Sequence, residues 1–234
     1  MEDKDYLIYC GDCFELFNQI DEHSVDLVLC DPPYNIGIAE WDIHFDFEAL
    51  AQNILRVIKD NGNIVLFQGY SNVCETKAIF DKYFLLNDWI IYDRIKGRGA
   101  KRHFVSTRED ILWYSLGSDY TFNKISSNIK KKTCGFGLKN GNEYRALTNV
   151  WYDISPIVPW SKERVGHPTQ KPIALMDRCV KIFSNDGDIV LDPTMGSGTC
   201  GISCIKNGRK FIGFENNKEY FEMAKRRIEE SLTQ

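Results

Sequence analysis

From Tyr6 to Glu215 the chain alternates short apolar runs with amphipathic segments, and this alternation constrains the fold more than any other feature. YLIYC, SVDLVLC, NIVLFQG, WIIYDRI, DILWYSL, DIVLD and KFIGFE have strand length. CFELFNQI, DFEALAQNILRVIK, Ser71 to Phe84, PIALMDRCVKIFS, GTCGISCIKN and NKEYFEMAKRRIEE read as helices. Asn61-Gly62 is expected to end the second helix before its strand. The pattern predicts an α/β fold: a Rossmann-like, mostly parallel sheet with helices on both faces and a ligand crevice at the strands' carboxyl ends. Residues 1–234 read as one domain. Inside it, 117–166 is polar, basic and too long for an ordinary connection, so it is expected to be functional.

Several classes drop out early. MEDKDYLIYC lacks the basic start and apolar stretch of a secretory leader, and no run approaches the roughly 18 apolar residues of a membrane span. Eight scattered cysteines fit reduced, buried thiols of a cytoplasmic protein. Cys10 and Cys13 form a C-x-x-C, but His23, His44, His103 and His167 add no matching ligand spacing, so no metal is expected. The net charge of −4 hides a segregation: residues 94–145 hold twelve Lys/Arg against four Asp/Glu, leaving the other 182 residues at −12. A basic flank on an acidic body suits a phosphate-bearing partner, and a merely solvated basic loop remains the plainer alternative.

Two motifs belong to the crevice. In DIVLDPTMGSGTCGISC, Gly196, Gly198 and Gly201 follow a strand and open a helix, and Glu215 ends the next strand nineteen residues past Gly196. Such glycines let backbone approach a ligand, while an acid at the next strand end can accept from ribose hydroxyls. No lysine follows them as in a phosphate-cradling loop, and a dinucleotide remains open on these residues alone.

The second motif, Asp31-Pro32-Pro33-Tyr34, closes the strand SVDLVLC. A turn accounts for the prolines but not for an acid beside an aromatic ring at a crevice mouth. Attack by the exocyclic amine of a nucleobase accounts for both. That amine is a poor nucleophile because its lone pair is delocalised into the ring. Two fixed acceptors, the Asp31 carboxylate and the Pro32 carbonyl, can hold its N–H groups so that the lone pair turns outward. Tyr34 offers a stacking surface worth about 1–3 kcal/mol per base. The matching electrophile is a methyl sulfonium, and a target inside a duplex must first be flipped out.

With these residues assembled, the chain resembles the S-adenosylmethionine-dependent DNA amino-methyltransferases, most closely the β-class adenine-N6 enzymes. YCGDCFELFNQIDEHSVDLVLCDPPYNIG, NILRVIKDNGNIVLFQG, REDILWYSLGSDYTFN, HPTQKP (167–172) and DPTMGSGT (192–199) carry the likeness, in the β order of blocks. The resemblance implies a circularly permuted methyltransferase fold with a small target-recognition insertion at 117–166. It implies that Asp31 and Pro32, with Pro33, grip the amine and that Tyr34 stacks on the base. It places Asp12 at the cofactor's adenine, Glu215 at its ribose, Gly196, Gly198 and Thr199 around its methionine end, Asp192 at the amino group and Lys171 at the carboxylate. Thr194 stands where the family usually has Phe, so that apolar contact to the cofactor is expected either to be weaker or to be made by Met195. Lys130, Lys131, Lys132, Lys139 and Arg145, with Lys96, Arg98, Lys101 and Arg102 beside them, are expected to meet phosphates.

Double-stranded DNA is the implied partner, and a second copy of the chain and a cognate restriction endonuclease stay open. Cytosine N4 is the near alternative as target, although that activity more often has Ser where this chain has Asp31. A nicotinamide-binding oxidoreductase and a non-catalytic DNA-binding relative are the alternatives from other classes.

Overall fold

The computed structural model describes residues 5–37, 42, 44–98, 101–102, 104–130 and 143–233, with side chains at all of these except 95–98 and 128. An eight-stranded sheet runs in the order β1 (Tyr6–Cys10), β10 (Lys210–Glu215), β9 (Ile189–Asp192), β2 (Val25–Cys30), β3 (Ile58–Gln68), β5 (Ser106–Ser115), β4 (Leu85–Arg98), β8 (Val150–Trp151). Only β5 runs against its neighbours, so the mostly parallel sheet expected from the alternation is present.

Strand residues alternate between two cores. Leu27, Leu29, Val65, Phe67, Ile111 and Trp113 face α4 (Ile173–Phe183), α5 (Thr199–Lys206) and α6 (Lys218–Ser231). Val28, Cys30, Ile64, Leu66, Leu112 and Tyr114 face α1 (Cys13–Leu16), α2 (Phe47–Val57) and α3 (Val73–Phe80). Each fully buried Val, Leu or Phe contributes about 1.5–3 kcal/mol, so both layers are held by many modest terms. The helix after β9 and the helix after β2 thus lie on opposite faces. The gap between these adjacent strands is the topological switch point, where open α/β sheets bind ligands.

Three details depart from the sequence reading. The helix α2 ends at Val57 rather than at Asn61-Gly62, because Ile58 already pairs with Val25 and the backbone of His23 and Ser24 caps the Arg56 and Val57 carbonyls. Asn61-Gly62 instead belongs to the stretch of β3 where its register with β2 shifts. Five of the seven described cysteines are buried, but Cys10 and Cys74 are exposed, and none of the seven forms a disulfide.

Among the described residues of 117–166, only β6 (Ser126–Lys130) and β7 (Tyr144–Ala146) form a sheet of their own. The stretch around β8 instead belongs to the main body. Trp151 is buried, and Arg178 of α4 makes a bidentate pair with Asp153 at 2.8 Å on both arms while lying over the Trp151 ring. Such planar, two-armed pairing fixes orientation as well as charge. Among the described residues no helix is long and apolar enough to cross a membrane.

Candidate active site

The parallel strands end together at one edge, and residues at or just past the ends of β1, β2, β9 and β10 line a cavity of about 270 Å³. Asp12 follows β1, Asp31 follows β2, Asp192 ends β9 and Glu215 ends β10; all four carboxylates line it. Asp12 is also the N-cap of α1, accepting from the Phe14 N–H at 2.7 Å. Glu215 accepts from the N–H groups of Gly196 at 2.9 Å and Asn217 at 2.8 Å, which ties the glycine loop to the neighbouring strand. Burial raises the Glu215 carboxyl, against the lowering effect of those N–H groups. The Asp192 carboxyl is pushed up to about 8 by burial and by the charges of Asp31 and Glu215.

The loop after β9 turns through two left-handed residues, Gly196 (φ 50°) and Gly198 (φ 75°), before α5 begins. Arg227 of α6 donates to the Ser197 carbonyl and to the Thr199 hydroxyl, the latter at 3.3 Å, and so pins the loop from behind. Gly201 is a packing requirement: a Cβ there would lie 2.7 Å from Ile228 and 2.8 Å from Phe211. Thr194, Met195 and Thr199 all line the cavity, with the Thr194 hydroxyl 3.6 Å from the Cys30 sulfur.

A second cavity, of about 370 Å³, adjoins the first. Pro33 faces the first, Pro32 and Tyr34 the second, and Asp31, Thr169, Gln170 and Lys171 line both. Asp31 thus stands at the junction. Its Oδ1 accepts from the Tyr34 hydroxyl at 2.7 Å and its Oδ2 from Lys171 at 2.6 Å. The Tyr34 ring lies over the backbone of Gly69, where a Cβ would be 3.2 Å away. Asn72 holds the Tyr34 carbonyl at 2.6 Å, and Asp42 accepts from the Asn35 and Ile36 N–H groups. Burial and the charges of Asp31 and Glu109 hold the Tyr34 hydroxyl well above its ordinary pKa, so it stays a donor.

Without the family resemblance, Lys171 would read from its sequence position as a surface lysine; it is 8 % exposed, with Glu109 3.4 Å away on its other side. Burial would lower its pKa, but Asp31 and Glu109 outweigh that and keep it charged. Glu109, Tyr92, Arg94 and Arg108 line the second cavity and were missed from sequence. His167 also escaped a role: it packs against Gly196 and Tyr220, and burial lowers its pKa to about 4, so it is neutral at pH 7. The Tyr92 hydroxyl is buried without a hydrogen-bond partner among the described residues. A buried unpaired hydroxyl costs about 1–3 kcal/mol. Tyr92→Phe should therefore leave the melting temperature unchanged or a few degrees higher in a thermal melt; a clear fall would reveal a partner.

Of the residues expected to meet phosphates, Lys101, Arg102, Lys130 and Arg145 are exposed. Lys130 lies 3.9 Å from Glu143 and over the Tyr144 ring. Lys96 and Arg98 stand on β4 without described side chains, and Lys131, Lys132 and Lys139 lie outside the described residues. The β4–β5 hairpin brings Arg94 and Arg108 to the second cavity itself.

Comparison with known proteins gives the arrangement a family. The DNA methylase family matches residues 25–226. The DNA adenine methyltransferase YhdJ of Escherichia coli (strain K12) is 37 % identical over 94 % of this chain and 81 % of its own. The type II methyltransferase M.HpaI of Haemophilus parainfluenzae is 33 % identical over 96 % of this chain and 74 % of its own. The crystal structure of the M1.HpyAVI-SAM complex superposes with a TM-score of 0.69 at 31 % identity, covering 95 % of this chain and 99 % of that one. With a family match running from β2 into α6 and relatives aligned over more than nine-tenths of its length, this chain belongs to the DNA methylase family.

Proposed function

We propose that the chain transfers a methyl group from S-adenosylmethionine to the N6 amine of an adenine flipped out of double-stranded DNA. The observation that carries this reading is the place of Asp31, a carboxylate shared by two adjoining cavities, one acidic and glycine-lined, the other walled by Tyr34 and basic residues.

The first cavity suits the cofactor by its donor set. Asp12, Asp31, Asp192 and Glu215 line it, and the one lysine among the described residues that line it, Lys171, is neutralised by Asp31 and Glu109. Such a lining attracts a sulfonium, an ammonium and sugar hydroxyls, and it disfavours the pyrophosphate of a nicotinamide dinucleotide. That tells against the oxidoreductase alternative. S-adenosylmethionine supplies, when bound, a methyl group already activated on sulfur. Asp12 and Glu215 would accept from the adenosine portion, and Asp192 with the 196–199 loop would hold the methionine portion.

Asp31 and the Pro32 carbonyl would accept the two N–H groups of the target amine, as stiff acceptors that need no reorganisation. Tyr34, locked by its bond to Asp31 and its packing on Gly69, would receive the base face. Positive charge developing on nitrogen is stabilised by Asp31, and positioning supplies much of the remaining rate. The acid at position 31, together with the name of YhdJ, supports adenine over cytosine.

Incubating the protein with labelled S-adenosylmethionine and unmethylated genomic DNA, then digesting to nucleosides, tests this directly. The label should appear in N6-methyladenine; label only in N4-methylcytosine would reassign the substrate. For the DNA face, Lys101→Glu with Arg102→Glu should reduce the slope of log Kobs against log salt by about 2, near 0.9 for each phosphate that the protein no longer neutralises. An unchanged slope would remove that hairpin from the interface.

A further inference from the structure

Because β5 runs against its neighbours, its first residues lie at the edge where β2 and β3 end. Glu109 stands there, on the same strand face as Ile111 and Trp113. It is 12 % exposed, with one carboxylate oxygen 3.4 Å from Arg94 and the other 3.4 Å from Lys171. That second oxygen makes no hydrogen bond among the described residues. Lys171 meanwhile bonds Asp31 at 2.6 Å and lies 3.3 Å from the Tyr34 hydroxyl. One ammonium is thus shared unequally by two carboxylates, close to Asp31 and longer to Glu109.

A target amine must donate to Asp31, and an ammonium at hydrogen-bond distance competes for the same lone pairs and draws off negative charge. Paired with Lys171 alone, Asp31 would belong to a neutral couple and accept weakly. With Glu109 in the group, itself balanced on its far side by Arg94, Lys171 has a second carboxylate to pair with, and a vacant acceptor stands ready for the ammonium. We propose that Glu109 is a positioning residue: it shares Lys171 with Asp31 and takes over the ammonium when Asp31 engages the amine. It touches neither reacting group and acts through Lys171. This inference rests on the amine-methylation reading above and adds a residue to it.

The test measures methyl transfer to unmethylated genomic DNA by the wild type, Glu109→Gln, Glu109→Asp, Lys171→Met and the double variant Glu109→Gln/Lys171→Met, with cofactor affinity titrated alongside. Glu109→Gln should lower kcat roughly 10- to 100-fold, less than the about 100- to 1,000-fold cost of removing a group aimed directly at a developing charge, because it acts through Lys171. Its cofactor Kd should stay within about threefold, because Glu109 does not line the cofactor cavity, and its KM for DNA should change much less than kcat, because it acts on the amine through Lys171. Glu109→Asp, which keeps the charge one methylene short, should be faster than Glu109→Gln. In the Lys171→Met background, Glu109→Gln should change kcat less than about twofold, since coupled residues are non-additive.

Equal losses in both backgrounds would overturn the proposal, as would equal rates for the Asp and Gln variants or an effect confined to KM. If Glu109→Gln folds poorly, the Asp variant carries the comparison with the wild type: wild-type kcat would overturn the proposal and a lowered one support it. A wild type that labels no amine would sink the functional reading instead, so the two failures are separable.

Discussion

Asp31→Ala should reduce methyl transfer by at least about a thousandfold while leaving cofactor affinity within a few-fold of the wild type. Removing one preorganised electrostatic partner of a developing charge costs about 100- to 1,000-fold in known cases, and Asp31 both orients the amine and stabilises the charge. The cofactor cavity keeps Asp12, Asp192, Glu215 and its glycine loop when Asp31 is replaced. The fold should persist, because Lys171 retains Glu109 as a counter-charge at 3.4 Å and so is not left alone in the interior. Asp31→Asn should fall between the two: it keeps an acceptor oxygen without the charge. Label transfer to DNA and titration with S-adenosylhomocysteine are the two measurements. A variant with transfer within tenfold of the wild type would remove Asp31 from the chemistry.

What could be read from sequence follows from the range of the interactions. The glycine loop was legible because it answers a local backbone demand, and Asp31 because its neighbours in sequence are also its neighbours in space. Lys171 was not legible beyond the resemblance. Its acidic partners lie 140 and 62 residues away, and nothing in HPTQKP announces that the lysine is buried. Glu109 was hidden by strand direction. An acid two residues before an apolar inward position looks like the solvated start of a strand, and becomes part of a site only when β5 runs backwards. The signal present in the sequence is the two-residue period of a strand, which puts 109, 111 and 113 on one face. The strand β8 has two residues, too few for any periodicity, and exists because β4 offers an edge to pair with. Charge counting located a basic flank but not its geometry: Arg94 and Arg108, left out of the phosphate set, reach the second cavity, whereas Lys130 lies beside Glu143.

Gly198→Ala should be strongly destabilising, because it combines a left-handed backbone with a clash against backbone atoms. The residue sits at φ 75°, a conformation that costs an L-residue about 1–2 kcal/mol. Its added Cβ would also fall 2.9 Å from the Cβ and 3.0 Å from the Cα of Ala224, so the obstacle is the backbone of α6 and not a side chain free to turn away. Overpacking of that kind costs about 1–3 kcal/mol, giving a combined loss of about 2–5 kcal/mol. At about 2–4 °C per kcal/mol for a chain of this size, the melting temperature should drop by roughly 4–20 °C. Cofactor affinity should fall with it, because α6 also carries Arg227, which pins the Ser197 carbonyl of the same loop.

Gly187→Ala is the internal control. Its φ is 81°, but a Cβ there meets nothing within 4 Å, so it isolates the conformational cost from the clash. The difference between the two melting temperatures measures how tightly α6 is pressed against the loop. If Gly198→Ala proves no worse than Gly187→Ala, the helix yields freely, and the glycine is required only for the turn. If it is worse by several degrees and weakens cofactor binding beyond what its stability loss explains, close approach of α6 is what shapes the cradle.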